Sequence, residues 1–126
     1  MIETDLRRTS VLSKTNKNED ALKVGFSDII QGGVKLSDCM IKLPGSELEV
    51  MTSGSRRSDL TDLTTPKKLR DFFDLLQTKY DYIVLATPPI QPVSDPFIIS
   101  HATDHNLLLV RSSKTKLIGI KSVLKK

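Results

Sequence analysis

The sequence predicts an α/β protein whose doubly wound, mostly parallel sheet is flanked by helices. Three observations predict it. From residue 48 onward, segments of strand character alternate with segments of helical period, the order produced by crossover connections between parallel strands. Tyr82-Ile83-Val84-Leu85-Ala86 and Asn106-Leu107-Leu108-Leu109-Val110 are continuous apolar runs, the pattern of strands covered on both faces. A length of 126 residues with 38% hydrophobic and 27% charged content fits one domain over 1–126 around one core.

Each element follows from its residues. Met1-Ile2-Glu3-Thr4 reads as the end of a strand, and Asp5 to Lys23, polar and without apolar period, as a long exposed loop. Gly25 to Gly33 reads as one or two helical turns, capped by Ser27, with Asp28 in the first turn and the glycine pair ending it. Leu36 to Ile41 is a second short helical piece. Leu48-Glu49-Val50-Met51 alternates weakly and stops at Thr52-Ser53-Gly54, a strand and a turn. Thr65 and Pro66 open the clearest helix, Thr65 as N-cap and Pro66 at the first helical position, where its missing N–H costs nothing. Leu69, Phe72, Phe73, Leu76 and Tyr80 follow at i, i+3, i+4, i+7 and i+11, one apolar stripe for the core. Thr87-Pro88-Pro89 ends the strand before it. Asp95-Pro96 starts another helix, and Lys114 to Lys126 a last one with Leu117, Ile120, Val123 and Leu124 on one face.

Composition excludes several classes. No apolar run approaches the ~18 residues of a membrane span, and the polar N-terminus is no signal peptide. Cys39 is the single cysteine, so neither an internal disulfide framework nor a cysteine-rich zinc site is available. The net charge of +4 is spread over pairs such as Arg7-Arg8 and Arg56-Arg57, a solvated surface with no nucleic acid partner expected. His101 and His105 are four apart, but Thr103-Asp104 ends the helix between them, which argues against a metal hydrolase.

Open parallel sheets bind ligands at the carboxyl ends of their strands, so three loops are candidates. Glu3, Asp5 and Arg7, spaced by two, project to one side of an extended chain. Two carboxylates beside a guanidinium suit a hydrated Mg²⁺ and a phosphate, and equally a charged loop with no ligand. Ala86-Thr87-Pro88-Pro89 is a rigid turn, and Arg111-Ser112-Ser113-Lys114 lies where a base or sugar would rest or simply connects two elements. Asp95 either caps the helix before Pro96 or adds an acid to the site.

The ordered set E-T-D-L-R-R, G-F-S-D-I-I-Q-G, L-E-V-M-T-S-G, T-P-K-K-L-R-D-F-F-D-L-L, Y-D-Y-I-V-L-A-T-P-P-I, V-S-D and N-L-L-L-V-R-S-S-K-T resembles the bacterial tyrosine kinases (BY-kinases). These are cytoplasmic kinase domains of polysaccharide co-polymerases, grouped with the ParA/MinD-like P-loop ATPases, and the resemblance covers almost the whole chain. It implies a P-loop NTPase-like fold and ATP-dependent phosphorylation of tyrosine in the control of exopolysaccharide or capsule export. Glu3-Thr4-Asp5-Leu6-Arg7 matches the family's D-x-D-x-R, with Glu3 in place of the first Asp. The resemblance implies catalytic and Mg²⁺-binding roles for Glu3 and Asp5. It implies nucleotide contacts for Arg7, Thr87, Pro88, Arg111 and Ser112.

The departures matter as much. Where the family has D-T-P-P after the apolar strand, Ala86 replaces the metal-orienting acid. The Walker A motif G-x-x-x-x-G-K-[ST], upstream of D-x-D-x-R in the family, does not occur in these 126 residues, so the first strand and P-loop are lacking and the domain is partial. Phosphoryl transfer rests on positioning and charge stabilisation, so the chain alone is expected to be inactive and to bind MgATP weakly or not at all. The C-terminal tyrosine cluster is absent, and Tyr80 and Tyr82 border a strand read as buried. Expected partners are a second copy or the missing N-terminal kinase segment, and a membrane polysaccharide co-polymerase or adaptor. The expected place is the cytoplasmic inner face of the membrane. The alternatives are a ParA/MinD-like ATPase relative and a non-catalytic interaction domain.

Overall fold

The computed structural model describes residues 1–7, 24–55, 65–91 and 93–124. Its strands are β1 (Ile2–Glu3), β2 (Met40–Lys42), β3 (Glu49–Met51) and β4 (Leu85–Ala86), and its helices α1 (Phe26–Gln31), α2 (Leu36–Cys39), α3 (Pro66–Gln77), α4 (Asp95–Ser100) and α5 (Leu117–Val123). The sheet order is β2-β3-β1-β4. β1 runs parallel to both neighbours, with Ile2 opposite Met51 and Leu85. β2 joins β3 antiparallel, Ile41 opposite Val50, through a turn in which Leu43 N–H donates to Leu48 C=O. The sheet is thus mostly parallel and flanked by helices, as expected.

The apolar stripe of α3 forms the core. Leu69, Phe72, Phe73 and Leu76 are buried with Ile2, Leu6, Met51 and Ile99, and the rings of Phe26 and Phe72 stack tilted at 5.8 Å. Thr65 caps α3, its hydroxyl accepting the Lys68 N–H at 3.3 Å. Burial of four large apolar side chains from one helix supplies several kcal/mol, about 1.5–3 for each.

Four expectations are corrected. Asn106-Leu107-Leu108-Leu109-Val110 forms no strand, and its side chains are exposed, Leu107 by 92% and Leu109 by 91%. A strand requires a neighbour, and among the described residues the sheet ends at β4. For the same reason the run 82–86 is not covered on both faces: Tyr82 is 90% exposed and Val84 60%. The second helical piece stops at Cys39, and residues 40–42 become β2, because a backbone partner in β3 lies beside them. Ser27 does not cap α1; Gly25 holds that position and Ser27 lies inside the helix, donating its hydroxyl to Ser55 C=O at 2.9 Å. The stretch from Arg8 to Lys23, most of the expected loop, lies outside the described residues, as do Arg56 and Arg57.

Candidate functional site

β1 is too short to carry side chains far, so the site begins with backbone. Thr4 N–H donates to Ala86 C=O at 2.9 Å and the Thr4 hydroxyl to the same oxygen at 3.2 Å. The carboxyl ends of two adjacent parallel strands are thereby clamped together, which brings Glu3-Thr4-Asp5 beside Ala86-Thr87-Pro88. Glu3 is buried, 6% exposed, and Asp5 is half-buried. The Asp5 carboxylate accepts Arg7 N–H at 3.3 Å, which turns the chain as it leaves β1. Thr87 is exposed and Pro88 buried, so the rigid turn is anchored by its first proline.

Arg7 reaches across 88 residues of sequence to α4, where Arg7 Nη1 donates to Asp95 Oδ2 at 2.8 Å. The Arg7 side chain is 30% exposed and that of Asp95 fully buried. Asp95 therefore does not cap α4, whose N-cap is Ser94. Its second oxygen, Oδ1, is buried with no hydrogen-bond partner among the described residues. The sequence left Asp95 between a helix cap and an acid of the site, and the pair with Arg7 decides against the cap.

Asp28, legible in the sequence only as a first-turn acid, has a larger part. Asp28 Oδ2 accepts Gly25 N–H at 2.9 Å and Ser55 N–H at 3.0 Å, and the backbone N–H groups of Phe26 and Ser27 donate to Thr52 and Ser53 C=O. The start of α1 is thus fastened to the carboxyl end of β3. Gly54 makes this possible: its φ of +77° favours glycine, and a Cβ there would collide with Asp28 Oδ2.

The third loop is placed differently. Arg111 and Ser112 are exposed, and Arg111 is bonded within its own turn, its N–H donating to the Thr115 hydroxyl at 2.8 Å and its C=O accepting from Lys114 and Thr115. Of the sequence-based candidates, Glu3, Asp5, Arg7, Thr87 and Pro88 are gathered at the ends of β1 and β4.

The donor set limits how a divalent metal could be held. Among the described residues no group of three His, Cys, Asp or Glu could hold one. Mg²⁺, however, is commonly bound through one or two carboxylates plus substrate phosphates and water. Glu3 and Asp5 are carboxylates, the residue type of that mode, but Glu3 is buried while Asp5 is half-buried. Ala86, exposed at the end of β4, offers no oxygen from its side chain.

No family model matches the chain. A tyrosine-protein kinase ptk of Acinetobacter johnsonii is 26% identical over 119 residues, 93% of this chain and 16% of that protein. The tyrosine-protein kinase CpsD of Streptococcus agalactiae serotype III is 29% identical over 116 residues, 92% of this chain and 49% of that protein. Its relatives are bacterial tyrosine-protein kinases. The crystal structure of the VpsO kinase domain superposes with a TM-score of 0.85 at 26% identity, over 98% of this chain and 60% of that one. The chain therefore spans half or less of the length of these two kinase relatives.

Proposed function

We propose that this chain forms the acidic, metal-facing part of a bacterial tyrosine-kinase-like domain serving exopolysaccharide or capsule production, and that it is incomplete for phosphoryl transfer alone. The observation that carries the reading is the meeting of Glu3-Thr4-Asp5-Leu6-Arg7 with Ala86-Thr87-Pro88 at adjacent ends of parallel strands. In this reading Glu3 and Asp5 hold Mg²⁺ delivered with ATP, and the metal supplies charge neutralisation on the phosphates. Arg7, fixed by Asp95, orients its remaining N–H groups, and Thr87 and Pro88 shape the wall beside them. Arg111 and Ser112 serve the base or sugar from the exposed turn. Nothing in these 126 residues provides the backbone cradle and lysine of a Walker A loop. The partners are then a second copy or a P-loop-bearing segment, and a membrane polysaccharide co-polymerase or adaptor at the cytoplasmic face. Among the described residues no helix is long and apolar enough to cross a membrane.

Calorimetric titration of the 126-residue chain with MgADP and MgATP tests the proposal. The expected outcome is no saturable heat up to millimolar nucleotide. Saturable binding at micromolar nucleotide overturns it, because Glu3, Asp5 and their neighbours would then build a nucleotide site without a P-loop.

A further inference from the structure

The net charge of the chain is unevenly placed. Six of its nineteen Lys and Arg lie in residues 105–126, and none of its fifteen Asp and Glu does, so residues 1–104 are net acidic and the rest strongly basic. The helix in the basic part, α5, is seated by a close approach. Gly119 is its one buried residue, and a Cβ there would collide with the Gln91 side chain. Helical period alone would turn Leu117, Ile120, Val123 and Leu124 inward together. With Gly119 against Gln91 that face is split. Ile120 and Val123 are half-buried, whereas Leu117, Ile118 and Leu124 are 64%, 78% and 73% exposed. Lys121 is exposed among them, one turn on from Leu117. Lys114 and Lys116, also exposed, stand just before the helix in a formed turn. Arg111 C=O accepts the N–H groups of Lys114 at 3.1 Å and Thr115 at 2.9 Å, and Ser113 closes the turn at a φ of +57°, in the left-handed region.

These cations do not serve the helix. Its first turn holds no acid, and lysines at that end oppose the helix dipole. No acid among the described residues pairs with them. We propose that the outer face of α5 and the turn before it lie against the surface of an anionic phospholipid bilayer. Leu117, Ile118 and Leu124 would enter the boundary between headgroups and acyl chains, and Lys114, Lys116 and Lys121 would meet the headgroup phosphates. Because the turn is already closed by its own hydrogen bonds, little order has to be imposed on docking. A nucleic acid fits the same charges less well. Residues 105–126 contain no aromatic side chain on which bases could stack, and exposed aliphatic side chains gain nothing along a phosphate backbone. The face owes nothing to the kinase reading above, and it would hold the chain at a membrane by direct contact with lipid rather than through an adaptor alone.

Co-sedimentation of the 126-residue chain with two kinds of vesicle tests this, one of phosphatidylcholine alone and one with about a third phosphatidylglycerol. Expected is binding to the anionic vesicles only, weakening as salt rises and screens the exposed charges. Lys114→Gln, Lys116→Gln and Lys121→Gln combined should lose about a hundredfold in affinity, roughly fivefold for each cation near the surface. Leu117→Ser with Ile118→Ser should lose about tenfold or more. Lys67→Gln with Lys68→Gln, exposed on α3, should bind like the native chain. All these side chains are exposed, so the melting temperature should hold throughout and a loss reads the face and not the fold. Absence of binding to the anionic vesicles overturns the proposal. So does equal binding to neutral vesicles, or a triple lysine variant that binds like the native chain. Tighter binding to a DNA oligonucleotide than to the anionic vesicles overturns it as well and makes the partner a nucleic acid. Saturable MgATP binding by the same sample would remove the kinase reading and leave the lipid face standing.

Discussion

The pair formed by Arg7 and Asp95 is electrostatically lopsided. Asp95 is fully buried with one oxygen unpartnered among the described residues, whereas Arg7 keeps 30% of its side chain in solvent. Removing one member of a buried pair is expensive when the charge left behind cannot reach water, about 3–5 kcal/mol. Arg7→Ala strands the Asp95 carboxylate in that condition. Asp95→Ala leaves a guanidinium that can swing outward, so its cost is nearer that of one charged hydrogen bond, about 1.5–3 kcal/mol. Urea unfolding of the two variants should rank Arg7→Ala as the more destabilised, and the reverse order would show that Asp95 matters chiefly through its packing. The same lopsidedness explains why the sequence alone did not pair them. An aspartate before proline is a good helix start on local grounds, and only the tertiary approach of β1 to α4 redirects its carboxylate.

Among elements, α3 is the most completely fixed by its own residues, and its exit is fixed by a neighbour. Tyr80 follows the helix, and its hydroxyl donates to the Glu49 carboxylate on β3. Burial first, and then that hydrogen bond and the negative charge of Glu49, push the Tyr80 hydroxyl up to about 12 from a usual value near 10. The folded state therefore favours the protonated phenol. The stabilisation is whole below pH ~10 and drains away as pH rises from ~10 through ~12, where the unfolded chain gives up its proton first. Thermal unfolding measured over that window should fall more steeply for the native chain than for Tyr80→Phe; parallel curves would remove the link. The cap and stripe of α3 were legible because capping and helical period are local properties. The strand at Leu48 was legible as well, and the structure confines it to Glu49–Met51. The strand at Asn106–Val110 was misread for a reason that is equally physical. An apolar run states what a segment would pair with if a neighbour were present, and the neighbour is not encoded in the segment. The site was half legible: Glu3, Asp5 and Arg7 by their spacing, Thr87 and Pro88 by the turn, but not Asp95 as Arg7's partner, nor Asp28, whose bonds to Gly25 and Ser55 depend on β3.

At the scale of the molecule, Cys39 reports on cooperativity. It is 1% exposed within the core, and burial, with the charges of Asp28 and Asp38 behind it, raises its thiol above the ordinary range. A disulfide reagent at neutral pH should label it only as fast as the core opens, with a rate that climbs with urea in step with global unfolding. Immediate full labelling of the native chain would mean that the region around α2 opens independently of the rest. The sheet suggests that it does not, because among the described residues β2 is bonded to β3, β3 to β1 and β1 to β4 in one continuous order. The two-residue strand β1 is the first of the four to be synthesised, and its two neighbours lie at residues 49–51 and 84–86. At synthesis rates of about 5–20 residues per second, the central strand waits several seconds between its two partners. The nascent chain thus carries its middle strand long before it has a sheet to put around it, and chaperone occupancy should be highest in that interval.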